Sequence, residues 1–227
     1  LANLGVLPNE VVIMPAGVDV QRFSTDGSPT PPPLRLVYHG RMDRNRDLLS
    51  IVNACDILVN QGHHLDLRMF GRGDLMAELR RMASNREWLE VTGPHPREEV
   101  PQLLADRHVG LLPLPDTEVW NHASPLKVFE YAASGLCVVA TDIECHRVLG
   151  ERPWLELTDP SDPIGGIVGA LEGLLRSKDI EMRGLAARSD AESEFTWERA
   201  VEGLDDLLHS LIQAQECNSA VESKKFR

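Results

Sequence analysis

Residues 121–141, NHASPLKVFEYAASGLCVVAT, read as one complete unit of loop, capped helix, tight turn and buried strand. Ser124 is an N-cap residue whose oxygen can accept from the first free amides of a helix, and Pro125 sits where a missing N–H costs nothing. The helix LKVFEYAAS stops at Gly135, the residue type best suited to a left-handed cap. LCVVAT follows without polar interruption, the pattern of a parallel strand covered on both faces. The first turn of such a helix aims unpaired amides and a partial positive charge out of its loop, which suits a phosphate. Leu126 and Lys127 supply those amides, since Pro125 has none. At about 3.6 residues per turn, Lys127, Glu130 and Ser134 share one face, so Glu130 lies a turn below the anion site. A carboxylate there can accept hydrogen bonds from a ribose beside the phosphates. Taken alone, the stretch reads better as an ordinary capped helix with a Lys127–Glu130 pair on its surface, because Ser-Pro caps are common. The neighbouring segments decide between the two.

Upstream, LRLVYHG (34–40) reads as a strand ending at Gly40, and DLLSIVNACDILVNQ as the amphipathic helix after it. The loop between them, RMDRNR, crowds Arg41, Arg44 and Arg46 at the C-terminal end of a parallel strand, the edge where open α/β sheets bind ligands. The planar guanidinium fork suits diphosphate oxygens, so Arg41 and Arg46 are candidate phosphate ligands. LDLRMFGRGDLMAELRRMA (65–83) repeats the strand–turn–helix unit. Its Gly71-Arg72-Gly73 lacks the third glycine of a dinucleotide fingerprint and reads as a tight turn. WLEVTGP with REEVPQLLADR, then HVGLLPLP, add further units, and WLELTD (154–159) a last strand followed by the glycine-rich helix PIGGIVGALEGLLRS. FTWERAVEGLDDLLHSLIQ (195–213) is a terminal amphipathic helix. The spacing predicts six parallel strands alternating with helices in a doubly wound Rossmann-like sheet, one domain over residues 1–213. Within it VVIM near residue 11 reads as a short strand, residues 24–33 as a flexible connector, and residues 214–227 as a disordered tail.

At 227 residues, with 42% apolar and 5% aromatic side chains, the chain has the composition of a soluble α/β protein. A net charge of −12 argues against nucleic acid or an anionic membrane as the main partner. A nucleotide needs only a local positive site. Cys55, Cys137, Cys145 and Cys217 fit no metal spacing and point to a reducing, cytoplasmic setting. No window reaches the length of a membrane span and no signal peptide opens the chain. The start LANLGV, without methionine, reads as part of something longer.

These residues resemble the GT-B-fold, retaining glycosyltransferases of the family 4 type, in their C-terminal, donor-binding half. PAGVDVQRF is similar to the family's P-N-G-V-D…F interdomain loop, YHGRMDRNR to its G-R-L…K loop, and MFGRGDLMAEL to its G-x-G turn and helix. VTGPHPREEVPQLLA is similar to the next strand, loop and helix, and FTWE to the aromatic start of the terminal helix. The family's E-x7-E motif is matched only in its second half. Glu130 falls on the glutamate that binds ribose, while His122 stands where the first glutamate contacts the donor sugar.

The resemblance implies a UDP- or GDP-linked sugar held by Arg41, Arg46, His122, Ser124, Leu126, Lys127 and Glu130, with Arg41, Arg46 and Glu130 closest to the chemistry. It implies no metal cofactor, because cations and a helix N-terminus offset the leaving diphosphate's charge. It also implies an N-terminal domain holding the acceptor, a location in the cytoplasm or at the cytoplasmic face of a membrane, and a terminal helix crossing back to that domain. Without that cover the helix's apolar face is expected to drive self-association. Two other readings stand beside it, a non-catalytic nucleotide-binding module and, less well matched, an NAD-dependent enzyme.

Overall fold

The computed structural model describes residues 11, 14–23, 30–124 and 126–225, with side chains to Gln213. Pro125 and residues 24–29, most of the expected connector, lie outside the described residues. Six strands, β1 (Leu34–Arg41), β2 (Leu65–Arg72), β3 (Leu89–Thr92), β4 (Val109–Leu112), β5 (Cys137–Thr141) and β6 (Leu155–Thr158), form one sheet in the order β3-β2-β1-β4-β5-β6. Every pairing is parallel, from Leu34 opposite Leu65 to Thr141 opposite Thr158. β4 and β5 are buried at every position, as uninterrupted apolar runs require when both faces are covered.

The helices are α1 (Leu48–Asn60), α2 (Met76–Ala83), α3 (Val100–Ala105), α4 (Glu118–Asn121), α5 (Leu126–Ala133), α6 (Glu144–Arg147), α7 (Pro163–Arg176), α8 (Ile180–Glu194) and α9 (Trp197–Lys225). In α1, Leu48, Ile51, Val52, Cys55 and Leu58 recur at helical spacing and are all buried. Crossovers run outward in opposite directions from the centre of the sheet, so right-handed connections place α1 and α5 on opposite faces. α1 packs with α7, and α5 with α8. The strand order reverses between β1 and β4; in doubly wound sheets that is where a crevice opens at the C-terminal edge.

The short strand expected at VVIM falls partly outside the described residues; after it come an isolated bridge from Val18 to Thr196 and a 3-10 turn at Val20–Arg22. Helix α9 is described as far as Lys225, over a stretch with no glycine or proline, where a disordered tail from 214 to 227 was expected; residues 226–227 lie outside the described residues. The short helices α4 and α6, and the longer α8, had no counterpart in the sequence pattern. Among the described residues no helix is long and apolar enough to cross a membrane.

Candidate functional site

Gly40 is the next-to-last residue of β1, beside the point where the strand order reverses, and Lys127 of α5 lies against it. A Cβ built on Gly40 would meet Cε of Lys127 at 2.5 Å and its Nζ at 3.0 Å, and the residue's φ is +118°. The positive φ favours glycine there, whereas the flexible end of Lys127 could shift to admit a Cβ. The Lys127 arm lies across that glycine, half-buried, with its ammonium at the floor of the crevice. Burial pushes its pKa down and the nearby charge of Arg46 pushes it further, while Glu130 opposes both. Glu130 sits one turn deeper, with Oε2 3.2 Å from Nε2 of His39. The contact is within ion-pair distance but off the line of a directed hydrogen bond. Burial raises the Glu130 carboxyl; His39, Lys127 and Arg97 outweigh it and hold the pKa below the ordinary glutamate range. The carboxylate is thus kept charged. His39 is itself fixed by a stack on Phe70 with centroids 5.4 Å apart and by the edge of the buried Tyr131 ring at 5.3 Å.

The three arginines of the β1–α1 loop have separate fates. Arg41 makes a two-pronged contact with Asp43, at 2.8 Å and 3.1 Å, and half its side chain faces solvent. Arg44 pairs with Glu78 at 2.7 Å. Arg46 turns inward: its guanidinium carbon lies 4.5 Å from the centroid of the Trp120 ring, and it makes no ion pair among the described residues. It also flanks the Tyr38 hydroxyl, which burial pushes up to about 12 even though Arg46 opposes the rise. Of the two arginines expected at the phosphates, the structure brings Arg46 to Lys127 and leaves Arg41 occupied by a carboxylate.

The loop before α5 departs from expectation in one respect. The Leu126 amide donates to the Ser124 carbonyl at 2.9 Å, so it closes its own turn instead of facing an anion. Ser124 and His122 are exposed at the crevice rim. His122 follows α4, with Nδ1 2.8 Å from the Glu118 carbonyl. Ser134, expected on the face of Lys127 and Glu130, is buried and donates to the Glu130 carbonyl at 2.9 Å. Beyond β3, His95 meets the edge of Phe70 at 5.5 Å, so that His39, Phe70 and His95 form an aromatic row leading to the 93–95 loop. Gly71 and Gly73 let the backbone after β2 lie against that after β1: a Cβ at Gly71 would stand 1.8 Å from the Gly40 oxygen. Their role is close packing, as a tight turn requires. Sequence reasoning missed His39, Arg97 and Trp120. The HG pair at the end of β1 carried a usable signal for His39; for Trp120 nothing local did. Among the described residues no group of three His, Cys, Asp or Glu side chains could hold a metal.

Comparison with known proteins agrees with this geometry. Residues 33–177 match the family described as glycosyl transferases group 1. The amylovoran biosynthesis glycosyltransferase of Erwinia amylovora is 26% identical over 223 residues, covering 93% of this chain and 53% of the relative. A glycosyltransferase from Rickettsia africae superposes with a TM-score of 0.72 at 13% identity, over 92% of this chain and 59% of the other. HepE from Anabaena, solved in complex with UDP, gives 0.70 at 15% identity, over 92% and 60%. The chain thus spans about half the length of the first curated relative it matches. With a six-stranded Rossmann-like sheet of the kind found in GT-B enzymes and a family match over more than half its length, the chain belongs to the group 1 glycosyl transferases.

Proposed function

We propose that this chain is the donor-binding half of a retaining, family 4-type GT-B glycosyltransferase, and that its crevice holds the nucleoside diphosphate of a UDP- or GDP-linked sugar. The observation that carries the reading is the pairing of two cations, Lys127 and Arg46, in a partly dehydrated crevice. Arg46 makes the Lys127 charge less favourable, and an anion between the two cations relieves it. When the bond from the anomeric carbon to the diphosphate oxygen breaks, negative charge grows on that oxygen, next to the two cations. Glu130, kept ionised, accepts from the ribose hydroxyls, and the exposed His122 at the rim reaches the donor sugar. The acceptor hydroxyl is delivered by a second domain facing this edge, and its positioning supplies much of the rate. That HepE was solved in complex with UDP supports a nucleotide ligand.

Titration calorimetry with UDP, GDP, inorganic pyrophosphate and NAD tests the site. The 227-residue chain should bind UDP or GDP, with or without chelator, and should bind NAD poorly. Lys127→Ala should weaken the diphosphate by about 1–3 kcal/mol, the usual size of a lost charge-assisted contact. Unchanged binding in Lys127→Ala, or binding that vanishes with chelator, would refute the site as drawn.

A further inference from the structure

Arg46 is the arginine of its loop held by a ring instead of a carboxylate, and the ring belongs to a different segment of the chain. Trp120 comes from α4, between β4 and α5, and reaches across the crevice to the β1–α1 loop. Its indole N–H donates to the Asn45 carbonyl at 3.0 Å while its face carries the Arg46 guanidinium at 4.5 Å. Behind it the ring packs against Leu114, Ile143 and Cys145. α4 is pinned in turn by Asn121, whose amide donates to Asp116 at 2.6 Å and whose oxygen accepts from the Glu144 amide at 2.7 Å. The brace therefore has a fixed base and two points of attachment on the opposite loop.

We propose that Trp120 is a positioning residue for the donor diphosphate: it clamps the Arg46 loop and holds the guanidinium over the crevice by its π face, so that the cation stays in place without being neutralised. This rests on the donor-site reading above. The chemistry of the partner is the point. A carboxylate in the same place would fix Arg46 equally well but would compete with the phosphate for its N–H groups, as Asp43 does on Arg41. A ring face attracts the cation from above and leaves the edge of the fork open. The nearest competitor is close. Asp43 is held below the ordinary carboxylate range chiefly by its Arg41 hydrogen bond, and the charge of Arg46 contributes as well. An unbraced Arg46 therefore has an acid to fall onto. Nε of Arg46 is enclosed without a hydrogen-bond partner among the described residues, so the Trp120 ring, together with the neighbouring Tyr38 hydroxyl, orients the guanidinium.

The test uses the whole 227-residue chain and two probes, inorganic pyrophosphate and UDP. Trp120→Leu keeps the apolar packing but removes the π face and the indole N–H; Trp120→Phe keeps the face. Trp120→Leu should weaken both probes roughly tenfold, and Trp120→Phe no more than about twofold, given the strength of a partly desolvated cation–π contact. In an Arg46→Ala background Trp120→Leu should add nothing, because its target is gone. Pyrophosphate should also change the tryptophan emission of the parent chain, and Trp120→Phe should abolish that change. If Trp120→Leu binds as the parent does while Arg46→Ala binds weakly, the brace is wrong and the donor site stands. The brace also fails, with the donor site intact, if Trp120→Leu costs as much without Arg46 or if the emission change survives in Trp120→Phe. A parent chain that binds neither probe overturns the donor site and the brace together.

Discussion

Arg41 and Arg46 look interchangeable in the sequence, two guanidinium groups on one loop beneath a predicted helix N-terminus. The fold separates them by what each finds to hold, a carboxylate for Arg41 and an indole for Arg46. No local pattern reveals this, since Trp120 is far away in sequence and meets the loop only through the order of the strands. The two should therefore differ in calorimetry. Arg46→Ala is expected to weaken UDP by about 1–3 kcal/mol, and Arg41→Ala by clearly less, because Arg41 must first leave Asp43. Equal losses would mean that Arg41 swings in when ligand arrives. Glu130, by contrast, was legible from spacing alone, because a helix period is local geometry. Glu130→Gln should preserve the helix and lower affinity for UDP while leaving inorganic pyrophosphate, which has no ribose, unaffected. Parallel losses for both ligands would make Glu130 a structural partner of His39 and Lys127 instead.

At the scale of elements, α1, α5 and α7 were legible because each carries large apolar residues at helical spacing, and α8 was not. The buried face of α8 consists of Gly184, Ala187 and Ala191, too small to register as an apolar stripe. Gly184 is small for a reason: a Cβ there would stand 2.3 Å from the Gly135 carbonyl oxygen, at the end of α5. Replacing glycine by alanine inside an exposed helix ordinarily stabilises by about 0.5–1 kcal/mol. Gly173→Ala in α7, with nothing within 4 Å of the new Cβ, should follow that rule in denaturant melts. Gly184→Ala should break it and destabilise, and a stabilised Gly184→Ala would show that α8 can move away from α5. The short helix α6 gives a pH signature. His146 is fully buried, with Nδ1 2.8 Å from the Thr141 carbonyl and Nε2 without a partner among the described residues. Burial pushes its pKa below the ordinary 6.5, against the weaker pulls of Thr141 and Asp142. Below pH 6.5 the unfolded chain therefore takes up a proton that the folded ring resists. Its contribution to stability is complete above that pH and declines beneath it, by at most about 1.4 kcal/mol per pH unit. His146→Leu should be less stable overall yet show a shallower loss between pH 7 and pH 5; an unchanged slope would place the titration elsewhere.

For the whole molecule, the sheet was readable because alternating strand–helix units and capped helices are written in local patterns. What lies beyond the sheet was not. The start of α9 is anchored where Val18 bridges Thr196 and where the backbone at Gly17 leaves no room for a Cβ against Trp197. Past that anchor its apolar residues Val201, Leu204, Leu208, Leu211 and Ile212 are exposed, from 37% at Leu204 to 56% at Leu211 and Ile212. They lie on one side of the helix and are the molecule's most continuous uncovered apolar surface among the described residues. On the function proposed above, this sheet supplies the donor edge and a second surface must hold the acceptor hydroxyl against the anomeric carbon. We therefore expect the 227 residues alone to bind nucleoside diphosphate, to transfer no sugar from UDP- or GDP-linked donors, and to associate through α9. Sedimentation should show association that rises with protein concentration. It should strengthen with salt, because copies carrying a net charge of −12 repel one another at low ionic strength. Leu208→Glu should return the chain to monomer while leaving pyrophosphate binding intact. Robust transfer by these residues alone would overturn the half-site reading, and an unchanged association state in Leu208→Glu would move the contact off α9.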